Sequence, residues 1–186
     1  ILISVSWSTP SISEGTDCKF EKKICDIRKS IFLISGFDQV ASSVRIGPRT
    51  LVTTRHSVAD YEFVSVILKN GQKIKAKVIP NNSSADLILL DAPELLNVTD
   101  SMKHSQIRMK TAKKNDLLRV VAIDIVSKTV VIYEQGRVIA LPSRKNAMSR
   151  LHHTAYSQPG NSGGALINKN GELVAIVTSG GEGRFE

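Results

Sequence analysis

The sequence predicts an all-β protein of short antiparallel strands, folded as a sandwich or barrel. Three observations carry that prediction. Short apolar runs recur along the chain, separated by Gly, Pro and Asn turn signals. In Lys73–Ile79, lysine and apolar residues alternate, the period of a strand with one wet face. No segment sustains a 3.6-residue apolar period, and no internal repeat is visible.

In chain order, the first strand signal is Ser30–Ser35. Ser43–Ile46 and Thr50–Thr54 flank the turn Gly47-Pro48-Arg49, and Phe63–Leu68 and Lys73–Ile79 flank Asn70-Gly71. Asn-Gly between two such runs is a hairpin signal, because both residues tolerate the positive φ a tight turn demands. Leu87–Leu90 reads as a short buried run, and the polar, basic stretch Thr99–Asn115 as the joint between two β units. Strand signals resume at Leu118–Ile123, Thr129–Tyr133 and Arg137–Ala140, and end with Ala165–Ile167 and Leu173–Val177 around Asn170-Gly171. Helical turns are expected just after His56 and near Glu94–Leu96.

The bulk numbers set bounds. The chain has 186 residues, 41% hydrophobic and 23% charged, enough to bury a core and unlike a disordered segment. No apolar stretch approaches a membrane span, and the apolar start Ile1–Val5 is too short for a complete signal peptide. The net charge of +8 raises the question of nucleic acid. The basic groups, Lys103, Arg108, Lys110, Lys113 and Lys114, then Arg144, Lys145 and Arg150, have no interleaved aromatics to stack on bases. They read as solvated loops, and no nucleic-acid partner is expected. Cys18 and Cys25 have no nearby histidine to complete a zinc site. They form either a small disulfide loop in an exported protein or two free thiols in a cytosolic one.

Three segments carry chemistry. Gln158-Pro159-Gly160-Asn161-Ser162-Gly163-Gly164 can expose a serine hydroxyl on a tight turn, with the amides of Gly160 and Ser162 aimed where an oxyanion develops. Leu51-Val52-Thr53-Thr54-Arg55-His56 runs an apolar strand straight into a histidine. The other histidines are weaker candidates: His104 lies in the basic joint, and His152 and His153 lie just upstream of the serine motif. Ala85-Asp86-Leu87-Ile88-Leu89-Leu90 places an acid before a buried run, where it can be anchored while its carboxylate reaches the histidine. Asp60, four residues after His56, reads as pointing away, and Asp91 as a cap for the next segment.

The order His56, Asp86, Ser162, together with these motifs, resembles the trypsin-like serine peptidases, in detail their bacterial HtrA/Deg branch. The resemblance runs from about Val40 to Phe185 and includes the hairpin Leu68–Val78 and the strand Gly136–Leu141. It implies two six-stranded antiparallel β-barrels with the active site between them. It implies one peptidase domain over residues 1–186, with barrels of about 1–105 and 106–186 and no PDZ domain in this chain. The implied activity is endopeptidase hydrolysis of polypeptides through a Ser162-His56-Asp86 triad and an acyl-enzyme, with an oxyanion hole at Gly160, Asn161 and Ser162. No metal or other cofactor is implied, the expected location is secreted or periplasmic, and a homo-oligomer is allowed. By position, Tyr156 lies at the base of the primary pocket and Thr178, Ser179 and Gly180 along its wall. With no acid on the floor and no histidine in Ile176–Gly180, an apolar or small substrate side chain is expected. The alternative is a catalytically silent relative that binds peptides or a partner.

The chain departs from the family pattern in three internal places. Asn161 stands where digestive relatives have an aspartate that pairs with a newly released N-terminal amine, so activation by N-terminal cleavage is not expected. Ala41-Ser42-Ser43 stands where relatives are glycine-rich, and Gln158-Pro159 precedes the serine turn; neither removes a catalytic group. The chain also stops at Glu186, where relatives continue into a further strand.

Overall fold

The computed structural model describes residues 18–36, 40–82, 85–98, 109–143 and 150–178. A disulfide joins Cys18 to Cys25, so the pair is bonded rather than two free thiols. A short helix, α1 (Lys22–Asp26), and a 3-10 turn over Ile27–Ser30 lead into the first strand. Sequence periodicity gave no sign of them, because five residues are too few to show a period.

The first half is a closed barrel of six antiparallel strands: β1 (Ile31–Ser35), β2 (Val40–Arg45), β3 (Thr50–Thr53), β4 (Phe63–Ile67), β5 (Lys73–Ile79) and β6 (Ile88–Asp91). Their order around the barrel is β1-β2-β3-β6-β5-β4. Closure removes the free strand edges. The predicted alternation of β5 holds: Ile74, Ala76 and Val78 face the barrel interior, while the lysines face water. Gly71 has φ +80° in the β4–β5 hairpin, as the Asn-Gly signal requires.

The second half holds β7 (Leu117–Ile123), β8 (Val130–Ile132), β9 (Gly136–Ala140), β10 (His152–His153), β11 (Ala165–Asn168) and β12 (Leu173–Ile176). The sheet order is β10-β9-β7-β11-β12, with β8 also on β7. Six strands are present, as expected, but among the described residues they form a curled open sheet rather than a closed barrel. The two-residue β10 went unread, since two histidines carry no strand pattern.

Three apolar clusters explain why some strands read as unbroken apolar runs. Phe32 and Ile34 of β1 fill the barrel, while Ile31 and Leu33 fill the seam between the halves. Leu118, Val120 and Ala122 of β7 pack within the second sheet, and Val121 and Ile123 face the same seam. Both faces of β1 and β7 are therefore buried, which fixes the halves against each other. The 3-10 turn Pro93–Asn97 agrees with the helical turn expected there. Asp91 does not cap it: its carboxylate pairs with Arg49, which enters the neighbouring strand β3, and Ala92 holds the cap position. The Thr99–Asn115 joint falls mostly outside the described residues, and its described lysines, Lys110, Lys113 and Lys114, are exposed.

Candidate active site

β3 and β6 pair antiparallel with Thr53 opposite Ile88. Continuing that register two residues past the ladder sets Arg55 opposite Asp86, and the Arg55 amide donates to the Asp86 carbonyl at 3.3 Å. The chain then turns into a single helical turn, α2 (Arg55–Val58), which includes His56 rather than following it. The Thr54 and Ser57 hydroxyls lie 2.6 Å apart, and Ala59 leaves the turn at φ +46°. Arg55 donates to the Asn81 side chain at 2.6 Å, and Asn81 Nδ2 donates to the Leu87 carbonyl at 3.2 Å. The segments bearing His56 and Asp86 are thus tied directly and through Asn81.

Asp86 Oδ1 accepts the His56 backbone amide at 3.1 Å, and Oδ2 lies 2.6 Å from His56 Nδ1. An ionised carboxylate only accepts, so the proton sits on Nδ1. Neutral imidazole then offers Nε2 as an acceptor, and Ser162 Oγ lies 3.0 Å from it. The structure thus brings together the three residues singled out in the sequence. Asp60 is exposed, and Asp91 is committed to Arg49.

The serine turn is held from several sides. The Ser42 amide of β2 donates to the Ser162 carbonyl at 2.9 Å. Gly163 (φ +81°) donates to the Val177 carbonyl at 2.8 Å, and the Val177 amide returns a bond to Gly164 at 2.9 Å. A β-carbon on Gly163 would sit 1.9 Å from the Ser42 carbonyl oxygen, so glycine is required there. Asn161 is fully buried: its Nδ2 donates to the Ile123 carbonyl and the Tyr133 hydroxyl, and its Oδ1 accepts the Gln158 amide. The Asn161 backbone amide donates to the Gln158 carbonyl at 3.0 Å, so it is spent inside the turn. Among the described residues, none accepts from the amides of Gly160 and Ser162.

A family model for the trypsin-like peptidase domain matches residues 41–176. The chain belongs to this family. Serine protease Do-like HtrA of Lactobacillus helveticus is 29% identical over 136 residues, covering 70% of this chain and 32% of that protein. Periplasmic serine endoprotease DegP of Escherichia coli (strain K12) is 31% identical over 137 residues, covering 69% and 27%. The chain therefore spans about a third or less of the length of these relatives. In fold it is similar to Rv3671c of M. tuberculosis H37Rv, solved as an inactive mutant, with TM-score 0.68 and 18% identity over 95% of this chain and 84% of that one.

Of the residues expected to line a trypsin-like primary pocket, Tyr156 is exposed at the surface, its ring 5.7 Å from that of Tyr133. Thr178 is half-buried and follows Val177, so it leaves β12 beside the serine turn. Ser179 and Gly180 lie outside the described residues, as does His104. His152 and His153 lie on β10, and burial holds the His153 imidazole below its ordinary pKa. Among the described residues, no group of three His, Cys, Asp or Glu side chains could hold a metal ion, and no helix is long and apolar enough to cross a membrane.

Proposed function

We propose that this trypsin-like domain is a serine endopeptidase, with Ser162 as nucleophile, His56 as general base and Asp86 as orienter of the histidine. The observation that carries the reading is the hydrogen-bonded line from Asp86 through His56 to Ser162, at 2.6 and 3.0 Å. His56 Nε2 takes the Ser162 proton as Oγ attacks the scissile carbonyl, and Asp86 stabilises the imidazolium. The amides of Gly160 and Ser162 receive the carbonyl oxygen as it becomes negative. Collapse expels the amine, which takes the proton from His56 and leaves an acyl-Ser162 ester. A water, deprotonated by His56, then releases the acid.

The substrates are polypeptides, with an apolar or small side chain preferred in the pocket at Tyr156 and Thr178. The Cys18–Cys25 disulfide supports a secreted or periplasmic location, where such bonds persist. A fluorophosphonate probe tests the reading. It should label the wild type at Ser162 and fail on Ser162→Ala and His56→Ala. A folded wild type that resists labelling and cleaves no peptide in a substrate library overturns the reading in favour of a silent binding domain.

A further inference from the structure

The turn between β7 and β8 reaches the serine turn by two routes. The Asp124 carboxylate uses Oδ1 to close its own turn, accepting the amides of Val126 at 3.1 Å and Ser127 at 2.7 Å and the Ser127 hydroxyl at 2.9 Å. That leaves Oδ2, which accepts Gln158 Nε2 at 2.6 Å. The same nitrogen donates to the Tyr133 hydroxyl at 3.0 Å. Gln158 in turn grips Asn161 twice through its backbone, its amide donating to Asn161 Oδ1 and its carbonyl accepting the Asn161 amide. The second route is steric. A β-carbon on Gly160 would lie 2.0 Å from Ile125 Cγ2, so the Ile125 side chain covers the α-carbon of that glycine.

Gly160 has φ +91°, in a region open to glycine but not strongly favoured over others. The Pro159–Gly160 peptide unit can therefore rotate at little intrinsic cost, carrying the Gly160 amide away from the serine. Fixing Gln158 on one side and Asn161 on the other, with Ile125 against the α-carbon, removes that freedom. We propose that Asp124 and Gln158 are positioning residues: they clasp the β7–β8 turn to the serine turn and so hold the Gly160 amide in its oxyanion-binding orientation. This rests on the peptidase reading above. It assigns work to residues whose side chains bond to none of the three triad residues.

Three variants test the clasp. Gln158→Leu removes the donor without changing charge. Gln158→Glu sets a second carboxylate against Asp124. Adding Asp124→Asn to Gln158→Glu restores a donor–acceptor pair and the original local charge. Loss of a positioned oxyanion donor acts on the transition state, so both single variants should lose at least about tenfold in kcat, with KM within about twofold. The double variant should recover to within about threefold of wild type. A through-space charge effect would spare Gln158→Leu, and a purely structural lesion would not be rescued by the double change; either result overturns the clasp. In parallel, the amide resonances of Gly160 and Ser162 should move in both single variants and return in the double one. If the wild type shows no Ser162-dependent chemistry, the peptidase reading fails instead, and those resonances decide the clasp: unchanged positions in both single variants overturn it.

Discussion

Gly163 marks the point where the serine turn meets the barrel, and Gly163→Ala puts the cost of that contact to the test. The added β-carbon would lie 1.9 Å from the Ser42 carbonyl oxygen and 2.4 Å from Thr53 Oγ1, where real contacts essentially never fall under 3.0 Å. Relief needs a shift of about 1 Å, and neither neighbour can yield cheaply: Thr53 Oγ1 is bonded to that same Ser42 carbonyl at 2.7 Å inside the barrel wall. The serine turn must move instead, opening the 3.0 Å contact between Ser162 Oγ and His56 Nε2. A 1 Å misplacement of a reacting group costs about 100-fold in rate. The φ of +81° adds about 1–2 kcal/mol for any residue with a β-carbon, and the overpacking about 1–3 kcal/mol. The expected result is a loss of about 100-fold in kcat/KM on a peptide substrate, with a urea midpoint lowered by the equivalent of about 2–5 kcal/mol. A variant with wild-type activity and an unchanged midpoint refutes the claim that this contact sets the serine's position.

Asp86→Asn should keep the fold and cost about 10⁴-fold in kcat, since an amide facing Nδ1 no longer fixes the proton there; activity within tenfold of wild type counts against its role. Asn161→Asp sets a buried carboxylate against the Ile123 carbonyl, which can only accept, and leaves the Tyr133 hydroxyl as the one of the two partners able to turn and donate to it. It should destabilise by about 3 kcal/mol in urea unfolding at neutral pH, and a neutral outcome would mean the site rearranges. His153 should make stability pH-dependent. Its Nδ1 is buried without a partner, and desolvation first, then the neighbouring His152, holds its folded pKa below the ordinary 6.5. The unfolded chain then binds the proton more readily, so stability is complete above about pH 6.5 and falls as pH drops through that value. His153→Phe should flatten this part of the urea midpoint–pH curve, and an unaltered slope would assign the dependence elsewhere.

Much of the fold was legible because strand faces leave a mark on sequence. The alternation in Lys73–Ile79 maps one-to-one onto a barrel wall with one wet side, and Asn70-Gly71 gives the turn that closes it. The runs in β1 and β7 were readable as strands but not as the seam, because burial on both faces erases the period that would tell which side meets which neighbour. That the described strands of the second half form a curled sheet was not readable either, since its pairing joins strands distant in sequence. At the site, His56, Asp86 and Ser162 were visible by residue type and order. Gln158 stood out only as part of the Gln158-Pro159 departure before the serine turn, and Asp124 and Tyr133 not at all, because a carboxylate in a turn and a tyrosine ending a strand carry no pattern by themselves. The local signal nearest to them was Asn161: a buried amide needs partners for both ends, which asks what lies behind the serine turn.

The departure at Ala41-Ser42-Ser43 gains a physical meaning from the same geometry. Ser42 is fully buried and bonds in three directions. Its amide donates to the Ser162 carbonyl, its carbonyl accepts the Thr53 hydroxyl, and its own hydroxyl accepts the Ile123 amide at 2.8 Å. A glycine at this position could make the first two bonds but not the third. It would leave the Ile123 amide, at the end of β7, without this acceptor in a seam lined by Val44, Val52 and Val121. An unpaired buried amide costs about 1–3 kcal/mol. The serine therefore does for the seam what a glycine cannot, and it does so one residue from the Asp124 turn. The nucleophile's carbonyl, the strand leading to the histidine and the strand leading to the clasp all converge on one side chain and its backbone. On the proposed reading, serine chemistry depends on the two halves keeping their alignment, and at Ser42 hydrogen bonding, rather than apolar contact alone, sets it.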